Sequence, residues 1–142
     1  YVVPVDTAAI DLTTDRYGNA FNFTNDSGFD IIIQVKQWAG GGLNRLYLRF
    51  NGINSNIYFT GASAALPYIY TQGTVYASQY SVIRCEIHSN EIFGIVMGHS
   101  TTNTFSPFHT EGFNSSSINS ITLSKASTPN IPAGAVILIK KK

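Results

Sequence analysis

Val82-Ile83-Arg84-Cys85-Glu86-Ile87-His88, then Ser89-Asn90, then Glu91-Ile92-Phe93-Gly94-Ile95-Val96-Met97 is the stretch whose reading decides the fold. In its first half the apolar residues recur every second position. Ile83, Cys85 and Ile87 share one face, and Val82, Arg84, Glu86 and His88 share the other. That period places alternate side chains on opposite sides of an extended chain, which makes a strand with one wet face. Two such runs separated by two residues predict an antiparallel hairpin, although Ser-Asn is weaker turn chemistry than Asn-Gly.

Working outward, the same pattern recurs. In Arg45-Leu46-Tyr47-Leu48-Arg49-Phe50, Leu46, Leu48 and Phe50 face one way and Arg45, Tyr47 and Arg49 the other. Further strands are expected at Phe21 to Thr24, Asp30 to Trp38, Asn56 to Thr60, Tyr68 to Thr71, Ile118 to Ser124 and Ala135 to Lys140. Turn signals separate them: Asp26-Ser27-Gly28, Gly40-Gly41-Gly42, Asn51-Gly52, Gln72-Gly73 and Pro132-Ala133-Gly134. No segment carries the i, i+3, i+4, i+7 apolar spacing of an amphipathic helix. Many short strands without helical interludes predict one all-β domain over 1–142, a sandwich or barrel of antiparallel sheets. Ile31-Ile32-Ile33 and Val136-Ile137-Leu138-Ile139 are apolar on both faces. They predict central strands covered on both sides, or strands that meet a partner subunit. Tyr1 to Asp15 reads as an extended N-terminal arm.

Composition narrows the function classes. Charged residues make up 12% of the chain, about half the usual share, while the apolar content is an ordinary 44%. Asn, Ser, Thr and Gly replace the missing charge, so the surface is polar and nearly neutral, as suits a domain facing an extracellular or virion environment. Net charge is +1, and the basic residues are scattered apart from the terminal run Lys140-Lys141-Lys142. Nucleic-acid binding wants a basic stripe, which is absent. No apolar run is long enough to span a membrane as a helix.

Candidate chemistry is thin. Cys85 is the single cysteine, so it makes no internal disulfide, and its strand position makes it a small buried hydrophobe. His88, His99, His109 and Glu111 match no metal-ligand spacing. Glu86 and Glu91 fall near one hairpin end without a third converging group. No nucleophile elbow occurs, and Gly40-Gly41-Gly42 lacks the Lys-Ser/Thr and the helix of a phosphate loop. These observations predict no enzyme and imply no cofactor or metal. The aromatic residues are more informative. Tyr68, Tyr70, Tyr76 and Tyr80 gather in a polar middle segment, and Trp38 precedes the glycine run. Tyr and Trp join an apolar face to a polar tip, which suits a glycan or protein surface. Structural packing accounts for them equally well.

Two segments carry a resemblance. Leu46-Tyr47-Leu48-Arg49-Phe50-Asn51-Gly52 followed by Asn56-Ile57-Tyr58, and Ile118-Asn119-Ser120-Ile121-Thr122-Leu123 followed by Ile131-Pro132-Ala133-Gly134-Ala135, are similar to strand patterns of tailed-bacteriophage virion proteins. Ile53 stands where that pattern often has Asp, so any cation-binding role of an acidic turn is missing. The resemblance implies a β-sandwich of jelly-roll-like form on the virion exterior, in a tail fibre, a tail spike or the capsid surface. It implies a homotrimer that touches other virion proteins and a host-surface glycan or protein. Alternative settings are a capsid decoration (cement) protein, for which the arm at 1–15 would lace neighbours, and a carbohydrate-binding module of a larger enzyme.

Overall fold

The computed structural model describes residues 1–23, 27–38, 45–51, 57–60, 64–66, 68–71, 78–89, 91–99, 103–111, 118–126 and 130–142. Among these the regular elements are all strands. They are β1 (Ala9–Leu12), β2 (Gly28–Val35), β3 (Leu46–Phe50), β4 (Ile57–Phe59), β5 (Ile69–Tyr70), β6 (Gln79–His88), β7 (Glu91–His99), β8 (Asn103–Thr110), β9 (Ile121–Lys125) and β10 (Val136–Lys141). They form two antiparallel sheets. One has four strands in the order β1-β9-β3-β5, and the other has six in the order β10-β2-β6-β7-β8-β4. The fold is an all-β sandwich.

Alternation in the sequence becomes the two sides of each sheet. In β6, Ile83 and Cys85 are fully buried while Tyr80, Arg84, Glu86 and His88 are exposed. The β6–β7 hairpin forms with His88 opposite Glu91. Ser89 takes φ +50°, the left-handed value that primed hairpin turns require; Asn90 lies outside the described residues. In β3, Leu46, Leu48 and Phe50 point inward and Arg45, Tyr47 and Arg49 remain half-buried at the outer surface.

The inner faces meet in one hydrophobic cluster that runs from Val3 to Ile137. Phe29 of β2 and Phe50 of β3 touch edge to face across the two sheets, with ring centroids 5.7 Å apart. Fully burying one such side chain contributes roughly 1.5–3 kcal/mol. A polar tie runs through the same core. Thr71 Oγ1 accepts the Leu46 N–H at 2.9 Å and the Gln79 side-chain amide at 2.9 Å, and that amide also reaches Ser81 Oγ at 3.2 Å. Thr71, Gln79 and Ser81 are all buried. The tie joins the four-stranded sheet at Leu46 to the six-stranded sheet at Gln79 and Ser81.

Two sequence expectations change, and one strand was not expected at all. Phe21 to Phe23 is not a strand; Phe23 is buried against Phe29 with centroids 4.6 Å apart, so its apolar character is satisfied by packing rather than by a ladder. Thr24 lies outside the described residues. Asn103–Thr110 is a strand that Pro107 conceals in the sequence. The Pro107 carbonyl accepts the Thr60 N–H just past the end of the three-residue β4, so the missing proline N–H falls where the neighbouring strand stops. Residues 1–12 pack on their own sandwich. β1 pairs with β9, and isolated bridges join Val2 to Val136 and Thr7 to Ile131. At the other end of β3, Asn51 takes φ +52°, and its side-chain oxygen accepts the N–H groups of Asn119 and Ser120 at 2.8 and 3.1 Å. That contact ties the β3 turn to the entry of β9. Gly28 is required where β2 begins, because a Cβ there would sit 2.2 Å from the Cys85 carbonyl oxygen.

Candidate functional site

The outer face of the four-stranded sheet gathers the side chains best suited to hold a ligand. Alternation along β3 brings Tyr47 and Arg49 to this face. Pairing places Tyr47 between Ser124 of β9 and Tyr70 of β5, and Arg49 beside Thr122. Tyr68, just before β5, lays its ring on Tyr47, with centroids 3.8 Å apart and planes 19° from parallel. The guanidinium of Arg49 sits 5.6 Å from the Tyr68 centroid, and that of Arg45 sits 4.9 Å from the Tyr70 centroid. Such cation–aromatic contacts hold the guanidinium flat over the ring and contribute about 0.5–1 kcal/mol at exposed sites.

Electrostatics give this face a positive lean. Arg45 and Arg49 lie along it, and Asp11 at its far edge already accepts the Thr122 hydroxyl at 2.8 Å. Arg49 donates to Ser124 Oγ at 3.3 Å, which fixes the side chain along the strand. Arg45 Nε is shielded from solvent and has no hydrogen-bond partner among the described residues. A hydrogen bond with Tyr47, and to a lesser extent desolvation, push the Tyr68 phenol above its ordinary range. The arrangement offers flat aromatic surface, hydroxyl tips and two guanidinium groups held in register. It can bind by stacking and by charge-assisted hydrogen bonds.

The candidate residues named from sequence are not brought together. Tyr68 and Tyr70 join this cluster. Trp38 is 4% exposed and belongs to the core, which removes it from any surface contact. Tyr80 lies on the outer face of the other sheet and is 50% exposed. Tyr76 lies outside the described residues. Tyr47, Arg45 and Arg49 complete the cluster, and sequence reading had assigned them only to a wet strand face. The signal available was the Arg-Tyr-Arg alternation itself; its partner rings on β5 became visible only through pairing.

Other candidate chemistry resolves into local contacts. Cys85 is fully buried, and burial pushes its thiol far above the ordinary range, so it is held as the neutral thiol. On the outer face of the six-stranded sheet, His109 stacks between Tyr58 and Phe93 with centroid distances of 5.3 and 6.0 Å. Glu111 lies 3.4 Å from His109, and Glu86 lies 3.7 Å from His88. The His99 side chain lies outside the described set. Among the described residues no three His, Cys, Asp or Glu side chains converge as metal ligands. An open groove of about 550 Å³ runs between β10 and residues 11–17. Its two carboxylates are engaged locally. Asp11 holds Thr122, and Asp15 accepts the backbone N–H groups of Tyr17 and Asn19. Hydrogen bonds from Asn19 in particular keep the Asp15 carboxyl below its usual range. No family model, no curated protein and no solved structure matches the chain.

Proposed function

We propose that this chain is a non-catalytic adhesion domain that binds a surface glycan or protein through the Tyr47–Tyr68 stack and its flanking arginines. The observation that carries the reading is that stack, half-buried on the outer face of the four-stranded sheet with Arg45 and Arg49 beside it. Aromatic faces match the apolar faces of sugar rings and of protein side chains, and guanidinium groups supply directional donors at the rim.

The setting we propose is the exterior of a bacteriophage virion, in a tail fibre or tail spike that contacts the host. Its ground is the similarity of the segments at 46–58 and 118–135 to virion proteins, together with the weakly charged, Asn- and Ser-rich surface. A jelly-roll form of the sandwich belongs to the same reading. The capsid decoration alternative drew on a lacing arm at 1–15. Residues 1–12 pack along β9 and β10 of their own chain, which leaves that alternative little support. A carbohydrate-binding module would use the same Tyr and Arg face.

The test is binding of the purified domain to host cells and to a panel of surface glycans. Tyr68→Ala and Arg45→Ala should each weaken binding by about tenfold or more, the scale of a binding hot spot. Tyr17→Ala, which removes an exposed ring at the distant groove, should leave binding unchanged. Wild-type affinity in both cluster variants would refute the site.

A further inference from the structure

The chain carries eight carboxylates and a net charge of only +1, yet its charge is unevenly placed. Strand pairing puts Asp30, Glu86 and Glu91 on the outer face of the six-stranded sheet, and Glu111 joins them there beside His109. Asp6 accepts the Ala133 N–H at 2.8 Å, and Asp15 accepts the N–H groups of Tyr17 and Asn19. Asp26 lies outside the described residues. Among the described residues, Asp11 is the only carboxylate that pairing brings to the outer face of the four-stranded sheet.

Asp11 is too far away to neutralise Arg45. It stands two strands from β3, about 10 Å, and Arg45 lies about 13 Å further along β3 than its level, so the backbones are about 16 Å apart. That is about twice the Debye length at physiological salt. Arg45 makes no ion pair among the described residues, and its shielded Nε has no hydrogen-bond partner among them. The Tyr and Arg face is therefore positive on a nearly neutral chain.

The rings themselves are already engaged. Tyr68 stacks on Tyr47 at 3.8 Å and has the Arg49 guanidinium over it at 5.6 Å. Tyr70 stacks on Phe59 at 4.4 Å and has the Arg45 guanidinium over it at 4.9 Å. With these ring faces partly taken, the discriminating contact passes to the guanidinium edges. A planar guanidinium meets a carboxylate or a phosphate two donors at a time. Beside the arginines the face offers hydroxyls, Thr122 and Ser124, which match the hydroxyls of a sugar. No exposed large hydrophobic residue lies on β1, β3, β5 or β9 among the described residues. An acidic peptide, which binds best through a buried apolar anchor, finds little to hold it.

We propose that the ligand of this face is an anionic glycan, one whose repeat carries a carboxylate or a phosphate, and that Arg45 selects the anion. This rests on the adhesion reading of the same face and names the chemical class of its ligand.

Calorimetric titration of the whole chain with three oligosaccharides of equal length tests it. They are a polyuronic acid fragment, the same fragment with its carboxyl groups reduced to alcohols, and a phosphorylated counterpart. At least one anionic form should bind about tenfold or more tighter than the neutral form, and the tighter of the two names the group recognised. Raising the salt from about 50 to 500 mM should remove most of that advantage, a readout that needs no variant. Arg45→Gln should bring the acidic and reduced forms to within about twofold of each other, whereas Arg45→Lys, which keeps the charge without the fork, retains part of the preference. Circular dichroism checks that both variants fold. If the unaltered chain binds the anionic and neutral forms equally and Tyr68→Ala weakens both, the anion selection is overturned and the adhesion reading stands. If it binds none of the three but binds a polyglutamate peptide, the glycan assignment is overturned. Failure to bind any of these probes or host cells overturns the adhesion reading and this proposal together.

Discussion

Thr71→Val is the sharpest test of how the two sheets are held in register. The substitution keeps shape and volume close to native and removes only the hydroxyl. Two donors then lose their acceptor: the Leu46 backbone N–H and the Gln79 amide, each 2.9 Å from Thr71 Oγ1. Leu46 is 1% exposed and Thr71 is 0% exposed, so water cannot replace the lost acceptor. A buried donor left unsatisfied costs about 1–3 kcal/mol. The Gln79 amide keeps Ser81 as an acceptor, so its share falls at the low end. The expected loss is about 3 kcal/mol, seen as a lower urea midpoint at unchanged slope. In a domain of this size it corresponds to a fall in Tm of roughly 6–12 °C. Thr71→Ser retains the oxygen and loses one methyl, so it should cost only about 1 kcal/mol. The double variant Thr71→Val with Gln79→Leu removes an acceptor and one of its donors together and should recover part of the loss. If Thr71→Val matches wild type, or if Thr71→Ser is equally damaging, the hydroxyl is not what joins the sheets.

Two further predictions concern the fold. Asn51→Ala removes the acceptor for the Asn119 and Ser120 N–H groups and puts Ala at φ +52°, so it should cost about 2–4 kcal/mol by chemical denaturation. Asn51→Gly keeps the backbone freedom and should cost less; equal losses would show that backbone strain contributes nothing. The buried Cys85 thiol should resist maleimide labelling in the native chain and react at once in denaturant. Its folded-state pKa is raised, so the unfolded thiol ionises above about pH 8.5 while the folded one stays neutral. Unfolding then releases a proton, and stability should fall as pH rises past that point. A Cys85→Ala chain should lose this component of the pH dependence, and an identical slope would exclude Cys85 as its source.

Much of the fold was legible because a strand writes its two faces into the sequence with a period of two. Leu46, Leu48 and Phe50, and Ile83 and Cys85, could be assigned to the core before any pairing was known. The β6–β7 turn was legible from two residues between two alternating runs. Where another force satisfied the side chains, the period misled: Phe21 and Phe23 alternate, yet they pack against the core without a ladder. Pro107 hid β8, because a proline within a run argues against a strand unless its missing N–H falls where no ladder bond is needed, and here β4 ends beside it. The role of each tyrosine was not local information. Trp38 went to the core, Tyr80 to one outer face, and Tyr68 and Tyr70 to the other. Their partners Tyr47, Arg45 and Arg49 stand some twenty residues earlier in the chain. Composition and period therefore determined the all-β class and most inward positions. Which outward residues share a surface was decided by strand order and register, because those depend on long-range hydrogen bonding that no single segment encodes.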